Sequence, residues 1–191
     1  LPAWMIRDAA LAVSGLLNAA QGGPPVKPYQ PDGVWAEMFM GRFRYEPSIG
    51  PAQYRRTLYA YWRRTAAPTF LFDSSQRRVC EVRARRTNTP LHALTLLNDV
   101  TMLESSRALA EGTSDIDDMA FQVLSRALTD NELRILQREY THSLAFYRTD
   151  VKAASQLLEV GQAEPRKDPQ LAARMVVASM LLNLDEAITH E

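Results

Sequence analysis

The chain predicts a mainly α fold, a multi-helix orthogonal bundle broken by long Pro/Gly-rich and Arg-rich irregular stretches. A short β-hairpin is allowed near 36–46 or 78–83. Three observations carry this reading. Beyond residue 90, apolar residues recur at three- and four-residue intervals. Helix-start signals stand in front of those runs, at Thr89-Pro90, Asp99, Thr129 with Glu132, and Asp168-Pro169. Alternation suited to strands is confined to Val34–Gly50 and to a short piece at Val79–Val82.

Taken in order, Ala3–Asn18 reads as an amphipathic helix, with Ile6, Ala9, Ala10, Val13, Leu16 and Leu17 at helical spacing. Residues 22–33, GGPPVKPYQPDG, hold four prolines and three glycines and suit an extended strap ending in a turn. A helix is expected over Ala52–Thr65, with Tyr54, Leu58, Tyr61 and Trp62 on one side and Arg56 and Arg63 opposite. Thr89 caps Leu91–Leu97, with Pro90 at the first helical position, and Asp99 caps the next helix. Gly112 is expected to end that helix in a left-handed conformation. Further helices start at Ser114, at the Thr129–Glu132 capping box and near Asp150, the last of these running to Gly161. The final helix follows Asp168-Pro169 and is apolar nearly all round, the profile of a central buried helix.

With 191 residues the chain suits one helical domain, 1–191, burying roughly 70% of its unfolded surface. Its abrupt start inside a helical pattern suggests a C-terminal fragment of a longer multidomain protein. Formal net charge is zero, which argues against nucleic acid as a partner. The longest apolar run, Met175–Leu182, is eight residues, far below the roughly 20 needed to span a bilayer. One cysteine, Cys80, excludes an internal disulfide and a C-x-x-C-H haem attachment within the chain. His92, His142 and His190 lack ligand spacing, so no metal site is expected. No catalytic motif is recognisable, and the enzyme question stays open.

The chain's most unusual feature is its arginine distribution. Residues 55–86 hold nine arginines against Asp73 and Glu81, whereas 99–140 hold nine acids against four arginines. Two readings follow. Either Arg83, Arg85 and Arg86 pair with the acidic helices after Asp99, or the field grips an anionic small molecule or polysaccharide through its planar forks. Arg86, Asn88, Thr89, Asn98 and Asp99 gather near two helix N-termini and form the first candidate site, set against plain capping. Arg56, Arg63, Arg83 and Arg85 extend it. Tyr29, Gln30 and Trp35 are read either as an aromatic platform for a sugar or as a strap burying its aromatics over the core.

Several long strings carry a family resemblance: IRDAALAVSGLL at 6–17, GGPPVKPYQPDGVW at 22–35, YRRTLYAYWRRTAAPTFLFD at 54–73, CEVRARRTNTPLHALTLLND at 80–99 and LLNLDEAITHE at 181–191. The chain resembles the planctomycete cytochrome-associated C-terminal domain, domain of unknown function 1553. The resemblance implies the C-terminal part of a large exported protein, periplasmic or extracellular. A haem c module would lie in other domains of that parent, leaving no cofactor in this chain and making those domains its partners. The first expectation for function is therefore a structural or docking module. The alternatives are a substrate-binding or catalytic part of a composite extracytoplasmic oxidoreductase or carbohydrate-active enzyme, or a freestanding anion- or nucleic-acid-binding protein.

Overall fold

Helices account for almost all regular structure. A computed structural model describes residues 1–63, 66–72 and 89–189. Among these the helices are α1 (Ala3–Val13), α2 (Val34–Met38), α3 (Pro90–Asn98), α4 (Val100–Gly112), α5 (Ile116–Leu124), α6 (Asp130–Thr149), α7 (Val151–Leu158), α8 (Pro169–Leu182) and α9 (Asp185–Ile188). No strand occurs among the described residues; only isolated bridges do.

The helix α8 is the axis of the bundle, as its all-round apolar sequence predicts. Eight of its fourteen residues are buried, including Met175, Val177, Ala178 and Leu181. It packs against α4, α5, α6, α7 and α9. One continuous core runs from Ala10 of α1 through Leu96, Leu109, Met119, Leu136 and Leu158 to Leu182. Removing this much apolar surface from water is the dominant stabilising term.

The start signals operate largely as read. Asp99 Oδ1 accepts from Thr101 N at 2.9 Å and Met102 N at 3.4 Å, capping α4. Thr129 and Glu132 form a complete capping box at α6. Asp168 Oδ1 accepts from Gln170 N and Leu171 N, both at 3.0 Å, ahead of Pro169. Thr89 occupies the N-cap position of α3 without a side-chain cap, and Pro90 supplies the preset first turn.

Several boundaries differ from expectation. Helix α1 ends at Val13, because Gly15 turns left-handed at φ +73° and Asn18 N donates to Tyr54 O at 3.0 Å. The hairpin expected at 36–46 is absent. The short helix α2 stands there, ended by left-handed Met40 and Gly41; the alternative at 78–83 lies outside the described residues. The helix expected over 52–65 is replaced by two 3₁₀ turns, Gly50–Ala52 and Thr57–Tyr59. Long-range partners capture this segment first. Asp8 Oδ1 accepts from Thr57 N at 2.8 Å and Thr57 Oγ1 at 2.6 Å, and Tyr61 N donates to Val26 O at 2.6 Å. Gly112 is the last residue of α4, not a left-handed terminator. Thr113 continues in extended backbone, with its carbonyl held by Arg174. Helix α5 begins at Ile116 under an Asp115 cap rather than at Ser114. Helix α7 stops at Leu158, short of Gly161.

The strap at 22–33 is extended, bridged in parallel to the 55–60 segment at Val26–Ala60. Arg55 donates to Gly22 O and Pro24 O of the strap, and Tyr29 Oη ties it to Glu104 of α4.

Candidate functional site

Two features meet beneath the strap: a buried polar network and an open cleft beside it. The network is built from residues whose types are unusual for an interior. Arg7 is 2% exposed although it lies in the apolar run of α1. Its Nη1 donates to Arg55 O at 2.9 Å and Thr57 Oγ1 at 3.1 Å, and its Nη2 to Gln53 O at 2.8 Å. The guanidinium also lies over the Phe70 ring at 5.1 Å. Burial lowers its pKa, and the charges of Asp8, Asp99 and Glu104 oppose that shift. Gln53, fully buried, donates to Lys27 O and accepts from Tyr29 N in the amide orientation that satisfies both.

Glu104 is the centre of the network. Its Oε1 accepts from Tyr29 Oη at 3.1 Å, Tyr54 Oη at 3.0 Å and Gln162 N at 2.8 Å. Arg107 Nη2 stands 3.8 Å away, while its Nη1 donates to Leu158 O and Val160 O at the end of α7. Desolvation raises the Glu104 pKa, against the pull of these donors. The same burial, with the Glu104 charge beside it, pushes the Tyr29 hydroxyl up to about 12. Gly161 closes over the carboxyl. Its φ is +82°, and a Cβ there would lie 2.0 Å from Glu104 Oε1, so both conformation and space demand glycine.

The cleft, about 830 Å³, opens between the strap, the corner from α3 to α4, and Gly161. Pro31, Pro47, Leu94 and Val100 supply apolar wall, and Gln30, Asp32, Thr95, Asn98 and Asp99 supply polar groups. Asn98 is exposed, with Nδ2 donating back to Leu94 O at 2.7 Å. Asp99 is 9% exposed and its Oδ2 accepts from Thr69 Oγ1 at 3.2 Å. Burial raises its pKa, opposed by the α4 cap bonds, Thr69 and Arg7. Asp99 thus serves as a cap at the edge of the cleft.

Of the residues singled out from sequence, Tyr29, Gln30, Asn98 and Asp99 come together here. Thr89 lies at the start of α3, about two and a half turns before Asn98. Arg83, Arg85, Arg86 and Asn88 lie outside the described residues. Arg56 and Arg63 belong elsewhere. Arg56 Nε stands 4.0 Å from Asp8 Oδ2, and Arg63 lies over Phe39 and Phe43 at 5.2 and 5.6 Å while donating to Tyr61 Oη. Arg55 gives its guanidinium to the carbonyls of Ala20, Gly22 and Pro24. These partners lie before Asp99, so the described part of the arginine field is held by α1, the strap and nearby aromatic rings. Trp35 is 2% exposed, within 5.9 Å of the rings of Phe39, Phe43, Tyr45 and Tyr61, with Nε1 donating to Gln30 Oε1 at 2.6 Å. It is a buried anchor and not an open platform.

Sequence reasoning missed Arg7, Gln53, Tyr54 and Gly161, and gave Glu104 no special place. The available signal was Thr101-x-x-Glu104-Ser105, polar residues at i, i+3 and i+4 and so on one face of α4. No group of three or more His, Cys, Asp or Glu side chains suited to a metal occurs among the described residues. None of the described helices is long and apolar enough to cross a membrane.

The chain belongs to PSD1, a family of proteins of unknown function (DUF1553), whose profile matches residues 1–140. Comparison with curated proteins and with solved structures gives no match.

Proposed function

We propose that this chain is a ligand-binding module of a larger exported, cytochrome c-associated protein, and that it holds a small polyhydroxylated molecule in the cleft beside the strap. The observation that carries the reading is convergence: Gln30, Thr95, Asn98 and Asp99 face one space of about 830 Å³ with apolar walls. Concave sites of roughly 300–1,000 Å³ with a few converging polar groups are the usual form of small-molecule sites. Asp32 and Asp99 are the charged side chains of the described lining, which favours a neutral ligand over the anionic one suggested by the arginine field. The exported setting and a haem c module elsewhere in the polypeptide rest on the family resemblance. Cys80, the sole cysteine, leaves no C-x-x-C-H in this chain.

Titration calorimetry with neutral, uronic and sulfated oligosaccharides tests the reading. Neutral members are expected to bind, and Asn98→Ala to weaken them about tenfold, or ~1.4 kcal/mol, with the melting temperature unchanged. No binding across the panel, or binding indifferent to Asn98→Ala, overturns it; preference for sulfated members restores the anionic alternative.

A second reading, docking against a neighbouring domain of the same polypeptide, is favoured by one observation. Leu91, Leu94 and Leu97 are 71%, 58% and 46% exposed and fall on one side of α3. Its check is association with the preceding part of the parent protein, which Leu91→Asp should abolish.

A further inference from the structure

Helix α4 carries a buried polar stripe that the hydrogen bonds of the protein leave incomplete. Thr101, Glu104 and Ser105 lie within about 100° of arc on one side of the helix and are 1%, 0% and 0% exposed. Thr101 Oγ1, Glu104 Oε2 and Ser105 Oγ each lack a partner among the described residues. Arg7 Nε, on the helix α1 that packs against α4, is a fourth such atom. Leaving a buried polar group unpaired costs about 1–3 kcal/mol, and native interiors seldom leave several together.

The chemistry of the stripe selects what completes it. A cation is opposed by Arg7 and by Arg107, whose Nη2 already stands 3.8 Å from Glu104. An anion is opposed by Glu104 itself. The ligand must donate to a carboxylate oxygen, accept from a guanidinium N–H and exchange either way with hydroxyls. Water does all three, and a buried water ordinarily finds two to four such partners.

We propose that the Thr101–Glu104–Ser105 face of α4 is an internal hydration site, where one or two tightly bound waters complete the hydrogen bonding of these side chains and of Arg7. The site lies beneath the cleft, since Tyr29 and Gly161 line that cleft and both meet Glu104. It is carried by the unpartnered atoms alone and stands whether or not the cleft binds a ligand.

Oxygen-17 relaxation dispersion of the full chain counts long-lived internal water, and urea denaturation reads its contribution. In Thr101→Val with Ser105→Ala, shapes are nearly kept while two partners are removed. The dispersion amplitude is expected to fall by at least the equivalent of one long-lived water, and the urea midpoint to fall with it. An unchanged amplitude overturns the proposal. So does a raised midpoint, the result expected when an unsatisfied hydroxyl is replaced by an apolar isostere. Thr101→Val alone gives the same reading where the double variant does not fold, and a sodium-dependent midpoint in the native chain reassigns the site to a cation.

Discussion

Glu104 joins four segments through one carboxyl: its own helix, the strap through Tyr29, the 50–57 segment through Tyr54 and the turn after α7 through Gln162. The arrangement tightens the fold only while Glu104 tolerates its burial. Its pKa is raised above the ordinary 4.5 by desolvation, so folding favours the protonated form. That contribution to stability is complete below about pH 4.5 and is lost as pH rises through the folded value. Glutamine keeps the carbonyl acceptor and cannot ionise. The melting temperature of Glu104→Gln, relative to the native chain, is therefore expected to increase between about pH 4.5 and pH 8. Thermal unfolding at several pH values reads this, and a difference that is flat with pH contradicts it. Glu132 has the opposite sign. Arg126 and the Thr129 cap hold it near 2, so its contribution is present above 4.5 and fades on further acidification.

At the scale of elements, capping decides where helices start, and tertiary capture decides where they fail to form. Helix α6 is the longest described helix, and its start rests on Thr129. Thr129 N and Oγ1 donate to Glu132 Oε2 at 2.7 and 2.8 Å, and Glu132 N donates back to Thr129 Oγ1 at 3.4 Å. Glu132 also shares Arg126 with Glu186 of α9, at 2.8 and 2.7 Å, so the cap is tied to the C-terminal turn. Thr129→Ala is expected to destabilise the chain by about 1 kcal/mol, measured as a shifted urea midpoint at unchanged slope. A shift under a few tenths of a kcal/mol would show that the reciprocal bonds contribute little. The 52–65 segment teaches the converse. Its helical spacing is real, but Thr57 belongs to Asp8, Tyr54 to Glu104 and Tyr61 to the strap and Trp35. Three long-range attachments outweigh a weak local preference among aromatic and β-branched residues.

At the scale of the molecule, the match to the family ends at residue 140, yet the core does not. Helix α8, beyond that limit, buries Met175, Val177, Ala178 and Leu181 completely, against helices on the matched side. A chain cut after Tyr140 leaves α4 and α5 with their apolar faces in water, along with an incomplete α6. It is expected to show no cooperative thermal transition by circular dichroism, whereas 1–191 melts in one step. A cooperative transition in the shorter chain would show that the matched region carries its own core.

Much of this architecture was legible along the chain because it is local. Helix starts at Asp99, Thr129 and Asp168 depend on side chains two or three residues from the amides they satisfy, and the centrality of α8 follows from an apolar surface that must be covered on every side. Asn98, Asp99 and Tyr29 were legible as candidates by residue type and by position at punctuated turns. Their meeting in one cleft was not, nor was the pairing of Arg7, Gln53, Tyr54 and Gly161 around the buried carboxyl. Those contacts join residues roughly 46 to 75 positions apart and leave no periodicity behind. Residue order alone establishes the helical class, the caps and the central helix; which polar side chains leave water together is settled by packing, because that choice depends on which distant segments the packed core brings within hydrogen-bond reach.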